Sequence, residues 1–273
     1  MNRLLQIPPL FLWVIAFPLS LFSLEKAPWF SDVYEFHLLT GYTYSDYSSI
    51  DRSTSPASSR DHRLATSLES SPSPQWSIDG DVEFVDTTRQ SWSFQSIAVQ
   101  GRYLWLDDMI GDLLSLATGL SARITSRRSL KDVSCPYHGF GEFLLHLSFG
   151  REFDPNRYFR YRFWGYTSLG FATSGSPWLS ASAAFEGNYQ DLHKGALFLD
   201  GGHGYGKRTK VDPLKFFGYG RIRYKFLDLG LRYGYQLGVA GTIRVQYKRR
   251  LLAGAYPEGV NFWTVSYLLP FSF

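Results

Sequence analysis

His146 and Ser148 stand two residues apart in the stretch 144–149. On an extended strand that spacing puts an imidazole and a hydroxyl on one side, the base and nucleophile that open a hydrolytic triad. No third member can be assigned, so two polar residues on an interior strand face are the plainer reading. Asp107, Asp108 and Asp112 gather oxygens that would suit a hard cation, but they lack calcium-loop spacing and read as a polar turn. Gly201, Gly202, Gly204 and Gly206 lead into a loop and another strand, whereas a phosphate cradle needs a helix N-terminus there. Cys135 is the only cysteine, which excludes an intramolecular disulfide and suits no thiolate metal site; it reads as a loop residue. These groups imply no metal and no cofactor, and no residue is assigned a catalytic role.

Charge is patterned more clearly. Asp79, Asp81 and Glu83 alternate with Ile78, Gly80, Val82 and Phe84. Carboxylates cannot face lipid, so in a membrane-crossing strand their face is the lumen. Arg160 and Arg162 alternate with Phe159, Tyr161 and Phe163. The same holds for Arg221, Arg223 and Lys225 against Ile222, Tyr224 and Phe226, and for Arg232 and Arg244 against their apolar neighbours. All ten charged residues are expected to line a lumen. In a barrel of about twelve strands, strand three lies nearly opposite strand nine, so an acidic and a basic wall would face each other. They would either stand apart across water or meet as ion pairs and close a plug. The excess of Arg and Lys favours water.

The elements that must hold these charges are strands. Residues 261–273 read N-F-W-T-V-S-Y-L-L-P-F-S-F, with Trp263, Val265, Tyr267, Leu269, Phe271 and Phe273 on one apolar face. This ending resembles the C-terminal assembly signal of bacterial outer-membrane β-barrel proteins. The resemblance implies insertion by the barrel assembly machinery and contact with outer-membrane lipids. The H-x-S spacing of His146 and Ser148 likewise resembles outer-membrane lipid A deacylases, which need a lipid-facing groove, whereas here the pair shares the inward face with Glu142.

Alternating stretches recur along the chain, separated by polar tracts at residues 45–61, 126–138 and 207–213. Thirteen can be counted, including a tenth at 215–225. Single-chain barrels of this kind use an even number, and the alternation of long and short connections puts the miscount between Pro213 and Gly259, with the change of apolar parity at Leu227 the suspect. The expectation is an all-β, antiparallel up-and-down transmembrane barrel of about twelve strands, ten or fourteen being the alternatives.

Composition agrees with this. The aromatic share is 18% of 273 residues, high for a globular chain but natural for a lipid-facing band with aromatic girdles. Residues 1–23, with Arg3 ahead of an apolar run, fit a cleaved secretory signal peptide, leaving residues 24–273 as one barrel domain in the bacterial outer membrane. The expected function is a narrow passive channel for small polar or anionic solutes, with no nucleic-acid partner. The alternatives are a lipid-modifying hydrolase and a structural or adhesive barrel with a plugged lumen.

Overall fold

The computed structural model describes residues 26–272; the expected signal peptide and Phe273 lie outside the described residues. Twelve long strands form a closed antiparallel barrel: β1 (Glu35–Tyr47), β3 (Ser59–Ser73), β4 (Trp76–Thr87), β5 (Gln90–Leu106), β6 (Ser115–Thr125), β7 (Gly141–Asn156), β8 (Phe159–Ala172), β9 (Trp178–Tyr189), β10 (His193–Gly204), β11 (Lys225–Gln236), β12 (Thr242–Gly254) and β14 (Asn261–Ser272). Two further strands, β2 (Ser49–Ile50) and β13 (Pro257–Glu258), pair with each other outside the barrel. β14 closes the sheet against β1, with Tyr44 opposite Trp263 and Tyr42 opposite Val265. Closure leaves no free edge to pair with another chain.

Alternation sorts the side chains as the pleat requires. On β7, Phe143, Leu145, Leu147 and Phe149 are exposed on the outer wall while His146 and Ser148 are buried inside. β5 carries Trp92 near one end and Trp105 near the other, both exposed, and Trp105 donates to Thr118 Oγ1 at 2.8 Å. Trp76 packs edge-on against Tyr103 at the Trp105 end, and Tyr247 against Trp263 at the opposite end. These are the two aromatic girdles of a lipid-facing band.

The three longest connections, residues 48–58, 126–140 and 205–224, all lie at one end of the barrel, which is therefore the outer one. The expected tenth strand is not a strand: residues 205–224 form one long outer loop with a 3-10 turn at Tyr219–Arg221. Removing it gives the even count of twelve. Alternation within 216–226 is real but has another cause. Phe216, Ile222 and Tyr224 are buried against other loops, not against lipid. Apolar parity therefore changes where the chain leaves the loop packing and enters the wall as Leu229, Leu231 and Tyr233. A β-bulge at Leu227/Asp228 marks the same place.

Those loops close the outer mouth. Tyr47, Trp178 and Phe262 point inward from three strands and meet Ile50, Val133, Val211, Phe216, Tyr219, Tyr256 and Val260 in a single apolar cluster. Tyr219 sits at its centre, 1% exposed, with its hydroxyl donating to Val133 O at 2.7 Å and its ring against Phe216, Tyr224 and Tyr256. The backbone N–H of Tyr219 donates to Tyr137 O, which ties the 205–224 loop to the 126–140 loop. Cys135 lies in that second loop, fully buried with Leu130, Tyr137 and Val85.

Burial pushes the Cys135 thiol well above the usual range, and only the thiolate is nucleophilic. Maleimide should therefore leave Cys135 unmodified in the folded protein at pH 8. Tyr219→Ala removes about 3–5 kcal/mol of packing from the cap and should accelerate labelling at least tenfold while the barrel keeps its heat-modifiable gel migration. Rapid labelling of the wild type would mean that the cap does not pack.

Candidate functional site

The interior divides into two unlike halves. Over β3–β7 it is filled by ion pairs. Arg102 on β5, 1% exposed, places Nη2 3.0 Å from Glu69 Oε1 and Nε 3.3 Å from Asp79 Oδ2. It also donates to Ser77 Oγ at 3.1 Å and to Ala27 O at 2.7 Å. Arg123 on β6 reaches across the small Ala98, its register partner on β5, to Asp81 and Glu83, both at 3.3 Å. Tyr137 descends from the outer loop and donates to Glu83. Arg63 on β3 lies 3.8 Å from Asp61 and donates to Ser134 O at 2.6 Å.

Asp79, Asp81 and Glu83 thus lie on the inner face of β4, but they do not look across water at a distant basic wall. Adjacent strands are about 4.8 Å apart, so an arginine one or two strands away reaches them long before a side chain across the barrel can. A buried carboxylate takes the nearest cation because leaving it unpaired costs several kcal/mol. Arg63, Arg102 and Arg123 were missed in the sequence, although Gln100 and Arg102 alternate with Val99, Gly101 and Tyr103 in the same way as the acidic residues.

Over β8–β12, and beneath the cap as far as β14, β1 and the Asp61–Arg63 pair of β3, the interior is hollow. A cavity of about 330 Å³ lies beneath the cap, and its charged lining is Lys26, Arg63, Arg232, Arg244, Lys248 and Arg250 against Asp61, Asp200 and Asp228. A second cavity, about 220 Å³, is lined by Arg160, Arg162, Lys194, Arg232 and Arg244 against Glu186 and Asp191. Arg232 and Arg244 belong to both, so the two cavities meet along one cationic track. Most of these charges are paired: Arg63 with Asp61, Arg160 and Arg162 with Glu152, Arg232 with Glu186 at 2.6 Å, Lys26 and Lys248 with Asp200, and Lys248 and Arg250 with Asp228. Cations still outnumber carboxylates in both linings.

Arg250 joins the track to the cap. It grips Asp228 through Nε at 2.8 Å and Nη2 at 3.0 Å, a bidentate pairing. Its guanidinium also lies over the rings of Phe226, Tyr256 and Phe262. From the opposite end a segment ahead of β1 runs into the lumen. Trp29 donates to Asp108 in a short turn at 2.9 Å and lies under Arg162. Further in, Lys26 reaches Asp200 at 3.0 Å and Ser182 at 2.8 Å. No periodicity in residues 26–34 signalled this course.

The sequence-predicted residues sort accordingly. Arg160, Arg162, Arg232 and Arg244 converge on the hollow half. Arg221, Arg223 and Lys225 do not line the lumen: they are exposed on the outer loop and at the outer end of β11, on the side opposite buried Ile222 and Tyr224. The inner side at that level is the dry apolar cap, which accepts aromatic rings and excludes unpaired cations. Asp107 and Asp112 are occupied within their turn, accepting hydrogen bonds from Met109 N and Asp107 N, and Asp108 is occupied from outside it, accepting from Trp29 Nε1 and Ser115 Oγ. The Gly-rich strand β10 has a packing cause, since a Cβ on Gly202 or Gly204 would meet the rings of Phe226 and Tyr224 at 2.5 and 2.3 Å.

His146 and Ser148 both face inward, and neither His146 nitrogen nor Ser148 Oγ has a hydrogen-bond partner among the described residues. They are not joined to each other and do not reach the lipid-facing wall, so the arrangement lacks the accessible nucleophile that lipid hydrolysis needs.

No protein-family model matches the sequence, and comparison with curated proteins finds no relative. Solved structures do match in fold. An outer-membrane channel from Pseudomonas putida F1 superposes with a TM-score of 0.58 at 10% identity, covering 91% of this chain and 100% of that one. The NanC porin gives a TM-score of 0.54 at 8% identity, covering 85% and 98%. At such identities the likeness is one of fold: this chain has the architecture of bacterial outer-membrane β-barrels.

The two halves should respond differently to mutation. Arg102→Met strands Glu69 and Asp79 in the filled half and should lower stability by about 3–5 kcal/mol. Arg160→Gln, at a partly exposed position, should change it by about 1 kcal/mol or less. Urea unfolding of the protein in lipid vesicles measures both, and equal effects would contradict the division.

Proposed function

We propose that this protein is an outer-membrane channel for small anionic solutes, with the cationic track over β8–β12 as its path and the packed outer loops as its gate. The observation that carries this reading is the sharing of Arg232 and Arg244 by two cavities whose linings are both richer in cations than in carboxylates. Such surplus charge needs water or matching anions around it. A wet passage of one sign concentrates the opposite ion and repels its own. Twelve strands, five of them facing a filled interior, leave room for a narrow passage only; wide aqueous pores use about 16–18. The two similar structures are described as a channel and a porin, which supports the reading by analogy of fold.

The same reading takes the protein to the outer membrane by export, with residues 1–23 removed and the apolar face of β14 presented to the barrel assembly machinery. Small polar solutes would follow the path, with anions preferred.

Planar-bilayer recording in a salt gradient tests the proposal. Wild type should show small, infrequent steps with an anion-preferring reversal potential, and Tyr219→Ala should raise the open probability. Arg232→Glu combined with Arg244→Glu should move the reversal potential toward cation preference. Silence of both the wild type and Tyr219→Ala would instead identify a plugged structural barrel, and cation preference in the wild type would reject the path.

A further inference from the structure

The outer rim of the wall carries a second concentration of positive charge that the channel does not use. Residues 205–225 hold seven cations, Lys207, Arg208, Lys210, Lys215, Arg221, Arg223 and Lys225, and one carboxylate, Asp212. All seven are exposed, and no ion pair joins any of them to a carboxylate among the described residues. This contrasts with the interior, where Arg63, Arg102, Arg123, Arg162, Arg232 and Arg250 all have carboxylate partners. Like charges this close repel each other unless an anion from outside sits among them.

Their direction identifies that anion. Lys225 opens β11 opposite His203 of β10 and lies on the same face as Leu227, Leu229 and Leu231, the lipid-facing row. Arg223 and Arg221 carry that row upward past the end of the strand, because Ile222 and Tyr224 between them are turned into the cap. Arg208 is held beside them, its N–H donating to Arg221 O at 3.0 Å and its carbonyl accepting from Arg223 N at 2.6 Å. On the neighbouring strand Arg249, also exposed, stands one outward position above the Tyr247–Trp263 ring pair of the outer girdle. Leu214 and Phe217, 86% and 54% exposed, project from the same loop. The cations therefore climb the outer wall from the level of the girdle and do not ring the axis of the mouth.

We propose that the outer rim of β10–β12 binds the phosphorylated head group of an outer-leaflet glycolipid, with Arg221, Arg223 and Lys225 as its main phosphate ligands and Arg208 and Arg249 beside them. Guanidinium forks match phosphate oxygens bidentately, and a polybasic stretch at a membrane surface gains about a factor of five per cation from anionic lipid. A soluble polyanion would be drawn to cations around the opening, whereas these lie beside it at head-group height with apolar side chains adjacent. The inference requires the barrel in its membrane and is independent of conduction.

Native mass spectrometry of the full refolded protein, released from micelles doped with bis-phosphorylated lipid A or with its dephosphorylated form, tests it. Wild type should retain the phosphorylated lipid at least tenfold better than the dephosphorylated one, and Arg221→Gln/Arg223→Gln/Lys225→Gln should lose that preference. Arg127→Gln/Arg128→Gln, in the other long loop, should keep it. Heat-modifiable migration confirms that each variant is folded, and the comparison of the two lipids in the wild type stands without any variant. Equal retention of the two lipids, or an undiminished preference in the triple variant, overturns the proposal. Displacement of the lipid by soluble polygalacturonate overturns it in favour of an acidic polysaccharide. Binding of the phosphorylated lipid by the wild type, together with silence of both the wild type and Tyr219→Ala in bilayers, leaves this site standing and removes only the channel.

Discussion

Every second residue of a closed sheet points at the barrel axis, and a charge placed there must be met by an opposite charge or by water. The interior of this protein follows from how that demand is met differently around the circumference. On β3–β7 the inward carboxylates Glu69, Asp79, Asp81 and Glu83 are matched by Arg102 and Arg123 from neighbouring strands, and that side is solid. On β8–β12 the inward cations Arg160, Arg162, Lys194, Arg232, Arg244, Lys248 and Arg250 outnumber the inward acids Glu186, Asp200 and Asp228, and that side is hollow. The hollow and the solid interior are therefore two sides of one wall.

The cap obeys the same constraint with the opposite chemistry. Loops from distant parts of the chain meet over the mouth through Tyr, Phe, Val and Ile, and their hydroxyls and backbone groups find partners inside the cluster, as with Tyr219 on Val133 O and Tyr47 on Ser134. Arg250 is the hinge between the two environments: its polar edge is satisfied by Asp228 and its flat face by three aromatic rings. With the loops packed in this way the mouth is closed, and a solute could enter from that side only if they moved while the hydrogen-bonded wall stayed fixed. Exposed cations of the same loops remain on the outer side, where neither the cap nor the lipid chains have to accommodate them.

Much of the wall was legible from residues alone. Alternation located the barrel strands, the requirement for an even number exposed a miscount, and the alternation of long and short connections placed it after Pro213, where residues 215–224 proved to be loop. That stretch misled because alternation reports only that two sides differ, not which two environments they meet; Phe216, Ile222 and Tyr224 alternate with cations against a loop cluster as regularly as Leu229 and Leu231 do against lipid. The inward positions of Arg160, Arg162, Arg232 and Arg244 could be read from parity. Pairing could not, because it depends on which strands are neighbours and on a residue as small as Ala98 leaving Arg123 a route to Asp81. The course of Lys26 through Phe30 inside the lumen has no periodic signal, since it is fixed by single contacts to Asp200, Arg102 and Asp108.

The central claim is that one half of the interior is a wet cationic path and the other a dry ionic scaffold. Cysteine accessibility in reconstituted protein tests it most directly, on a Cys135→Ser background with Arg244→Cys or Lys194→Cys in the hollow half and Ser121→Cys in the filled half. Arg244→Cys and Lys194→Cys should react with an anionic methanethiosulfonate faster than with a cationic one, and Ser121→Cys should react with neither. Equal modification of the two halves, or faster reaction with the cationic reagent at the hollow positions, would contradict the account.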